Sequence, residues 1–442
     1  MPANPVVAQG SSSPVKVGGR VWVPLVVVGL VGQLAWTVEN MYLNLFVYNT
    51  ITDNPTVLAT MVAASAITAT LATLLVGAAS DRVRTRRAFI AGGYILWGLT
   101  TASFGLVTVE AAAGVAAAGG AVTLAVIAII ILDCIMSFFG AGANDAAFNA
   151  WVTDSTVPAN RGRVDGVLAI MPLLAMLIVF GALDPLTRAG QWSTFFLVVG
   201  ATTCAVGVLA WFLVRDSPDL QPQREGYLRA VVHGLRPAAV RARPALYLTL
   251  LAYLVVGTAS QVFIPYLIIY VQHFLGFIDY ALLLAVVLLS ASVVSVLGGR
   301  LIDRLGKIRS ILPAGAIFAA GSVAMFFVRD MSMAMVAGTV MMSGFMLSVA
   351  AINATVRDHT PADRVGSVQG LRMIFAIMGP MVLGPFIGSA VIIGADETYL
   401  ELGELRQVPT PWIFLAAAAV LLLLPPVVAA LRRHAPGVQV AA

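Results

Sequence analysis

Four ionisable side chains sit within long apolar runs of this 442-residue sequence: Glu39, Asp133, Asp145 and, nearer the end of its run, Arg372. A charge that faces lipid at the centre of a bilayer costs about 2.5–3.5 kcal/mol or more, so each needs a partner or a task. Glu39 lies in QLAWTVENMYLN, where Gln33, Asn40 and Asn44 add further polar groups to the same run. A buried carboxyl can load and release a proton near neutral pH, which is the chemistry expected of Glu39; the alternative is a structural carboxyl capped by neighbouring helices. Asp145 lies in NDAAFNAWVTD, about 9 residues or 13 Å of helix from Asp154 at the end of its run. Asp133 precedes Asn144 by eleven residues, three helical turns, so the two are expected on one face. Asp133 is a further proton-site candidate, with a hydrogen bond to a neighbouring Ser or Thr as the other reading. Arg372 either meets a solute or carboxylate or extends its charge to the membrane interface.

Aromatic and amide side chains near these groups can form the wall of a site for a small polar ligand. Trp36, Asn40, Asn44, Tyr48, Gln261, Tyr266, Tyr270 and Arg372 are the candidates, with Tyr42 and Gln272 beside them. Packing is the competing role for each aromatic.

The elements that must position these residues follow from composition. The sequence is 60% apolar and 11% charged, with a mean hydropathy of +0.93, which excludes a water-soluble globule of this length. Twelve spanning-length runs are expected at roughly 21–50, 55–79, 88–108, 121–150, 164–183, 192–214, 245–272, 280–300, 310–328, 332–355, 367–393 and 411–431. Of 26 basic residues only Arg188, Arg329 and Arg406 fall on one side of that topology. The rest place both termini in the cytoplasm, and the net charge of +5 therefore reflects topology rather than a nucleic-acid partner. The division expected is a tail at 1–20, a six-helix bundle at 21–214, a linker with an amphipathic helix at 215–244, a second bundle at 245–431 and a tail at 432–442. The first twenty residues lack the pattern of a signal peptide.

The two bundles repeat. GAASDRVRTRR, Gly77 to Arg87, returns as GRLIDRLGKIR, Gly299 to Arg309, and at the same offset Glu39 matches Gln261. NAWVTDSTVPANRGRVDG, Asn149 to Gly166, matches NATVRDHTPADRVGSVQG, Asn353 to Gly370. In both copies of the first repeat a Gly, allowing close helix approach, precedes Asp and Arg at a helix end, where the Asp can face a neighbouring helix dipole. Gly77, Asp81, Arg82, Asp154 and Arg161, with Gly299, Asp303, Arg304, Asp358 and Arg364, are expected to form latches that close and open between conformations. Parallel repeats place a solute site at their interface.

These loop repeats resemble the signature of major facilitator superfamily transporters, with Arg84 where that family's Gly is expected and Gly306 in the second copy. The segment from Asp145 through Phe148, Ala150, Asp154, Pro158 and Arg161 to Gly162, together with SDRVRTR at Ser80 to Arg86, resembles the glycoside/pentoside/hexuronide:cation symporters, the melibiose and sucrose permease-like branch. The resemblance implies an all-α membrane fold of two pseudo-symmetric six-helix bundles, alternating access, and a cation-coupling role for Asp145. It also implies a small-molecule substrate, a sugar or glycoside, carried by a monomer of the inner membrane. Ala69 and Thr73 stand where that branch has paired carboxylates, so protons rather than sodium are expected to couple.

No cofactor or enzymatic activity is expected, since the four His residues are scattered and no nucleotide-binding Gly-rich loop occurs. Cys134 and Cys204 lie in apolar runs and read as packing residues. Two other functions compete with import. Gly379, Pro380, Gly384, Pro385 and Gly388 in the eleventh run resemble the Gly-Pro motif of drug antiporters, which belongs on the fifth, and suggest proton-driven export of amphipathic compounds. A receptor or scaffold without transport would have no need of three embedded carboxyls.

Overall fold

The structure, a computed structural model, describes residues 19–115, 120–156, 158–216, 236–360, 365–401 and 404–434. Its twelve helices long and apolar enough to cross a membrane are α1 (Gly19–Thr50), α2 (Pro55–Val83), α3 (Arg87–Leu106), α4 (Ala121–Asp154), α5 (Val164–Arg188) and α6 (Trp192–Leu213), then α7 (Pro244–Phe274), α8 (Tyr280–Arg300), α9 (Lys307–Phe326), α10 (Met331–Asp358), α11 (Val368–Ala395) and α12 (Trp412–His434). The chain is thus an all-α, multi-pass membrane protein, and the end bearing Arg82, Arg84, Arg86 and Arg87 is here the arginine-rich end. The linker positions Tyr227, Leu228, Val231, Val232 and Leu235, expected to form an amphipathic helix, lie outside the described residues; after them only the short helix Pro237–Ala242 is described.

Local sequence sets the helix ends. Asn54 accepts the Thr56 N–H at 2.9 Å and Pro55 follows at the first helical position, which starts α2. Asp330 accepts the Met333 N–H at 2.9 Å and starts α10. Within the helices, Ser and Thr hydroxyls donate to carbonyls one turn back, as Thr70 does to Ala66 at 2.9 Å, which hides polar groups from lipid.

Close helix contacts occur where glycines lack a side chain, although not at the loop glycines. A Cβ at Gly98 of α3 would collide with the Gly200 carbonyl of α6, and one at Gly200 with that of Gly98. A Cβ at Gly77 would stand an ordinary 3.8 Å from Ala146, and one at Gly299 would meet nothing within 4 Å. The close approach expected at the loop signature is therefore absent there.

Among the described residues five of the spanning helices widen into π turns, at Val38–Leu43 in α1, Ala141–Phe148 in α4, Val179–Leu183 in α5, Tyr270–Phe274 in α7 and Ile374–Met378 in α11. The turns in α1 and α4 carry Glu39 and Asp145. One feature stands outside the helical plan: Thr398–Glu401 and Glu404–Gln407 pair as antiparallel strands β1 and β2, between α11 and α12.

Candidate functional site

Glu39 is 7% exposed and Asp133 1% exposed, so both carboxyls lie within the bundle. The Ser137 hydroxyl of α4 donates to Glu39 Oε1 at 2.6 Å, while Glu39 Oε2 has no hydrogen-bond partner. Asp133 sits one turn before Ser137, interacts with Ser65 of α2 and leaves Oδ1 without a partner. Asp145 is partly exposed and accepts from the Asn144 amide at 3.0 Å, with Trp36 as a second side-chain partner. Asn144 Oδ1 in turn accepts from Tyr94 of α3 at 2.9 Å. Glu39, on the π turn of α1, thus lies close enough to Asp133 and Asp145 of α4 for their charges to interact.

A π turn at Ala141–Phe148 begins between Asp133 and Asn144; both lie toward α1, Asp133 also meeting Ser65 of α2 and Asn144 meeting Tyr94 of α3. Gln261, the repeat mate of Glu39, makes no hydrogen bond to it. Its backbone and Cβ instead pack on α11, where a Cβ at Gly384 would approach Gln261 Cβ to 2.5 Å.

The expected ligand wall divides into two groups. Trp36, Asn40 and Asn44 stay beside the acids: Trp36 packs on Trp97 at 5.1 Å, Asn40 donates to the Trp36 carbonyl, and Asn44 donates to the Asn40 carbonyl, leaving its own Oδ1 unpartnered. The tyrosines serve closure or packing. Tyr48 donates to the Gln407 carbonyl at 2.6 Å, and Tyr266 donates to the Pro55 and Pro385 carbonyls at 3.0 and 2.9 Å. Tyr270 is stacked on Phe274 at 5.3 Å. Arg372 lines a cavity of about 510 Å³ at the arginine-rich end.

The bonds of Tyr48 to Gln407 and of Tyr266 to Pro55 belong to a seam between the first six helices and the last six, at the end opposite the arginines. Thr56 of α2 meets Ser389 of α11 at 3.1 Å, and Asp53 accepts the Gln407 N–H at 2.7 Å. Asp184 of α5, 1% exposed, belongs to the same seam. It accepts from Tyr42 of α1 at 3.0 Å, from Arg188 at 2.6 Å, and from Tyr280 at the start of α8 in a short hydrogen bond. Arg188 also reaches Asp279 at 3.4 Å and lies over the Tyr280 ring. Asp184 and Asp279 are not among the candidates drawn from the sequence; the signal available was Asp184 directly behind the run expected at 164–183, with Arg188 four residues on.

Among the described residues, the polar contacts at the arginine-rich end stay within each set of six helices. Arg86, not Arg82, is the cation of the first: it pairs with Asp81, with Asp154 at 3.1 Å, and donates to Ser80 at 2.6 Å. Arg82 is exposed. The α3 N-terminus is capped not by Asp81 but by Asp216, whose Oδ1 accepts the Arg86 and Arg87 N–H groups at 2.6 and 3.0 Å. In the second set Lys307 holds both oxygens of Asp358 at 2.7 Å, while Arg304 is exposed. The side chains of Arg161 and Asp303, and the whole of Arg364, lie outside the described residues.

Arg84 ends α2 with φ of 60°, in the left-handed region that disfavours a Cβ, and its repeat mate Gly306 has φ of 89°. Arg84→Gly is expected to stabilise the protein by about 0.5–1 kcal/mol, and Arg84→Ala to have no such effect because the Cβ remains. Thermal unfolding of both variants in detergent checks this.

Among the described residues no group of three or more His, Cys, Asp or Glu is placed to hold a metal ion. The arrangement can instead hold protons on buried carboxyls next to a seam that is closed at one end.

Twelve spanning helices, repeated loop motifs and acids embedded between helices define a membrane carrier. The chain belongs to the Major Facilitator Superfamily, whose model matches residues 25–328 and 249–441; it is a transport protein, not an enzyme. No curated protein sequence matches it. Among solved structures, a point mutant of the nucleoside transporter NupG superposes with a TM-score of 0.70 at 12% identity, over 92% of this chain and 99% of that one. A bacterial homolog of the human lysosomal transporter Spinster, inward-facing and occupied, gives 0.66 at 16% identity over 96% and 97%. The xylose transporter XylE from E. coli, partially occluded and inward open, gives 0.66 at 14% identity over 95% and 99%. At these identities the likeness is one of fold.

Proposed function

We propose that the protein is a proton-coupled symporter of a small polar solute, sugar-like or nucleoside-like, working by alternating access. The observation that carries this reading is Glu39: a carboxyl on a widened turn, inside a bilayer-spanning bundle, with one oxygen bonded to Ser137, the other unpartnered and two further acids beside it. The resemblance of Asp145 to Gly162 to the glycoside/pentoside/hexuronide:cation symporters supports a coupling role for Asp145, and the names of NupG and XylE, transporters of nucleosides and xylose, support a polar solute. Trp36, Asn40, Asn44, Gln261 and Arg372 are the side chains proposed to meet it. The positive-inside pattern supports an inner-membrane protein with cytoplasmic termini, so the closed seam faces outward and the conformation is inward-facing.

Purified protein in proteoliposomes with a pH-sensitive dye outside tests the proposal. Solute-dependent alkalinisation outside is expected. Solute-dependent proton movement in the opposite sense would replace symport with export, and no proton movement with any of a panel of sugars and nucleosides would refute coupling.

A further inference from the structure

At the arginine-rich end of α10, Asn353 and Arg357 lie one turn apart on one stripe with Thr360 just past the helix end, and the first turns of α11 present Val368, Gln369 and Arg372 across from them. Between them lies the cavity of about 510 Å³, within the size range of small-molecule sites. Its charge is one-sided. Two guanidinium groups line it, and neither forms an ion pair with a described residue. The nearest acid in sequence, Asp358, is committed through both oxygens to Lys307. Like charges gathered in a cleft repel one another until an anion enters.

A second, uncharged feature narrows the ligand. Asn353 Oδ1 is buried and accepts no hydrogen bond, while its amide donates to the Tyr253 hydroxyl at 3.3 Å. A buried acceptor without a donor is costly, and a ligand hydroxyl or N–H would satisfy it.

We infer that this cavity binds a hydroxylated anion, with its carboxylate or phosphate held by Arg357 and Arg372 and a neighbouring hydroxyl donated to Asn353. Guanidinium forks match paired oxygens of a carboxylate or phosphate two at a time, which a single ammonium does not. The chemistry is shared by a soluble sugar acid or polyol phosphate and by the glycerol phosphate headgroup of phosphatidylglycerol. The inference names a ligand class that the proton reading does not, and it rests on that reading only where the anion is the transported solute.

Equilibrium binding to the full-length protein tests it without any transport step, so failure here leaves proton coupling standing, and failed coupling leaves this site standing. Detergent-purified protein is titrated with D-gluconate and with glycerol 3-phosphate, with glucose and glycerol as uncharged counterparts. In parallel, nanodiscs of phosphatidylcholine with phosphatidylglycerol are analysed for retained phosphatidylglycerol by native mass spectrometry. Saturable binding of a soluble anion, weakened at least about tenfold by Arg357→Gln and by Arg372→Gln and less by Arg372→Lys, supports the site with a soluble occupant. Retention of phosphatidylglycerol that the same glutamine variants lose, without soluble binding, supports it with a lipid occupant. Unfolding temperatures are compared throughout, and the exposed Arg357 provides the variant least coupled to folding. The inference is overturned if no anion saturates and lipid retention is equal in wild type and variants, or if the uncharged counterparts bind as tightly.

Discussion

Glu39→Gln is expected to abolish concentrative uptake while leaving solute exchange intact. A proton crossing 100 mV of membrane potential is worth about 2.3 kcal/mol, enough for roughly fiftyfold accumulation of a co-transported neutral solute. Glutamine keeps the carbonyl oxygen that accepts from Ser137, so the local packing of α1 against α4 survives. What it loses is the exchangeable proton. The accumulation ratio should then fall to one, whereas counterflow, which needs only the two-state motion, should continue. Asp145→Asn is expected to behave in the same way. Uptake and counterflow measured on the same proteoliposomes separate this outcome from misfolding, which abolishes both. Undiminished accumulation in both variants would remove these carboxyls from the coupling site.

The second large effect concerns the seam. Tyr280→Phe removes one hydroxyl, the one that reaches from α8 to Asp184 on α5, and leaves the ring that Arg188 covers. A hydrogen bond to a charged group contributes about 1.5–3 kcal/mol, so its loss should shift the balance between conformations roughly ten- to a hundredfold toward opening at this end. Spin labels at Thr50→Cys and Ile278→Cys, in a background lacking Cys134 and Cys204, would read that shift as a longer distance population. Asp184 keeps its bonds to Tyr42 and Arg188 in this variant, so the buried carboxylate is not stranded. An unchanged distance distribution would mean that Asp184 holds α5 and α1 together without latching the two sets of helices.

Much of the architecture was readable in the residues because lipid imposes a coarse rule: backbone groups must be satisfied inside each span, so long apolar runs become helices. The twelve runs, the repeat of Gly77–Arg87 at Gly299–Arg309, and the embedding of Glu39, Asp133 and Asp145 all follow from that. Register within the helices did not follow. The π turn at Ala141–Phe148, which carries Asp145, is an example, since local sequence carries no strong signal for such a turn. That Arg86 rather than Arg82 pairs with Asp81 and Asp154 depends on where α2 stops, which is fixed by the left-handed Arg84 and by Asp216, 130 residues away. The tyrosines illustrate the same limit: Tyr48 and Tyr266 look like ligand contacts by type, yet each hydroxyl is spent on a distant carbonyl.

The strand pair between α11 and α12 has a consequence for variation. Tyr48 and Asp53 grip Gln407 by its carbonyl and its N–H, never by its amide side chain. Every residue type except proline offers the same two handles. Position 407 can therefore drift through evolution while the clasp persists, and a search for invariant letters would pass over a fastening whose only coded half lies on the other bundle.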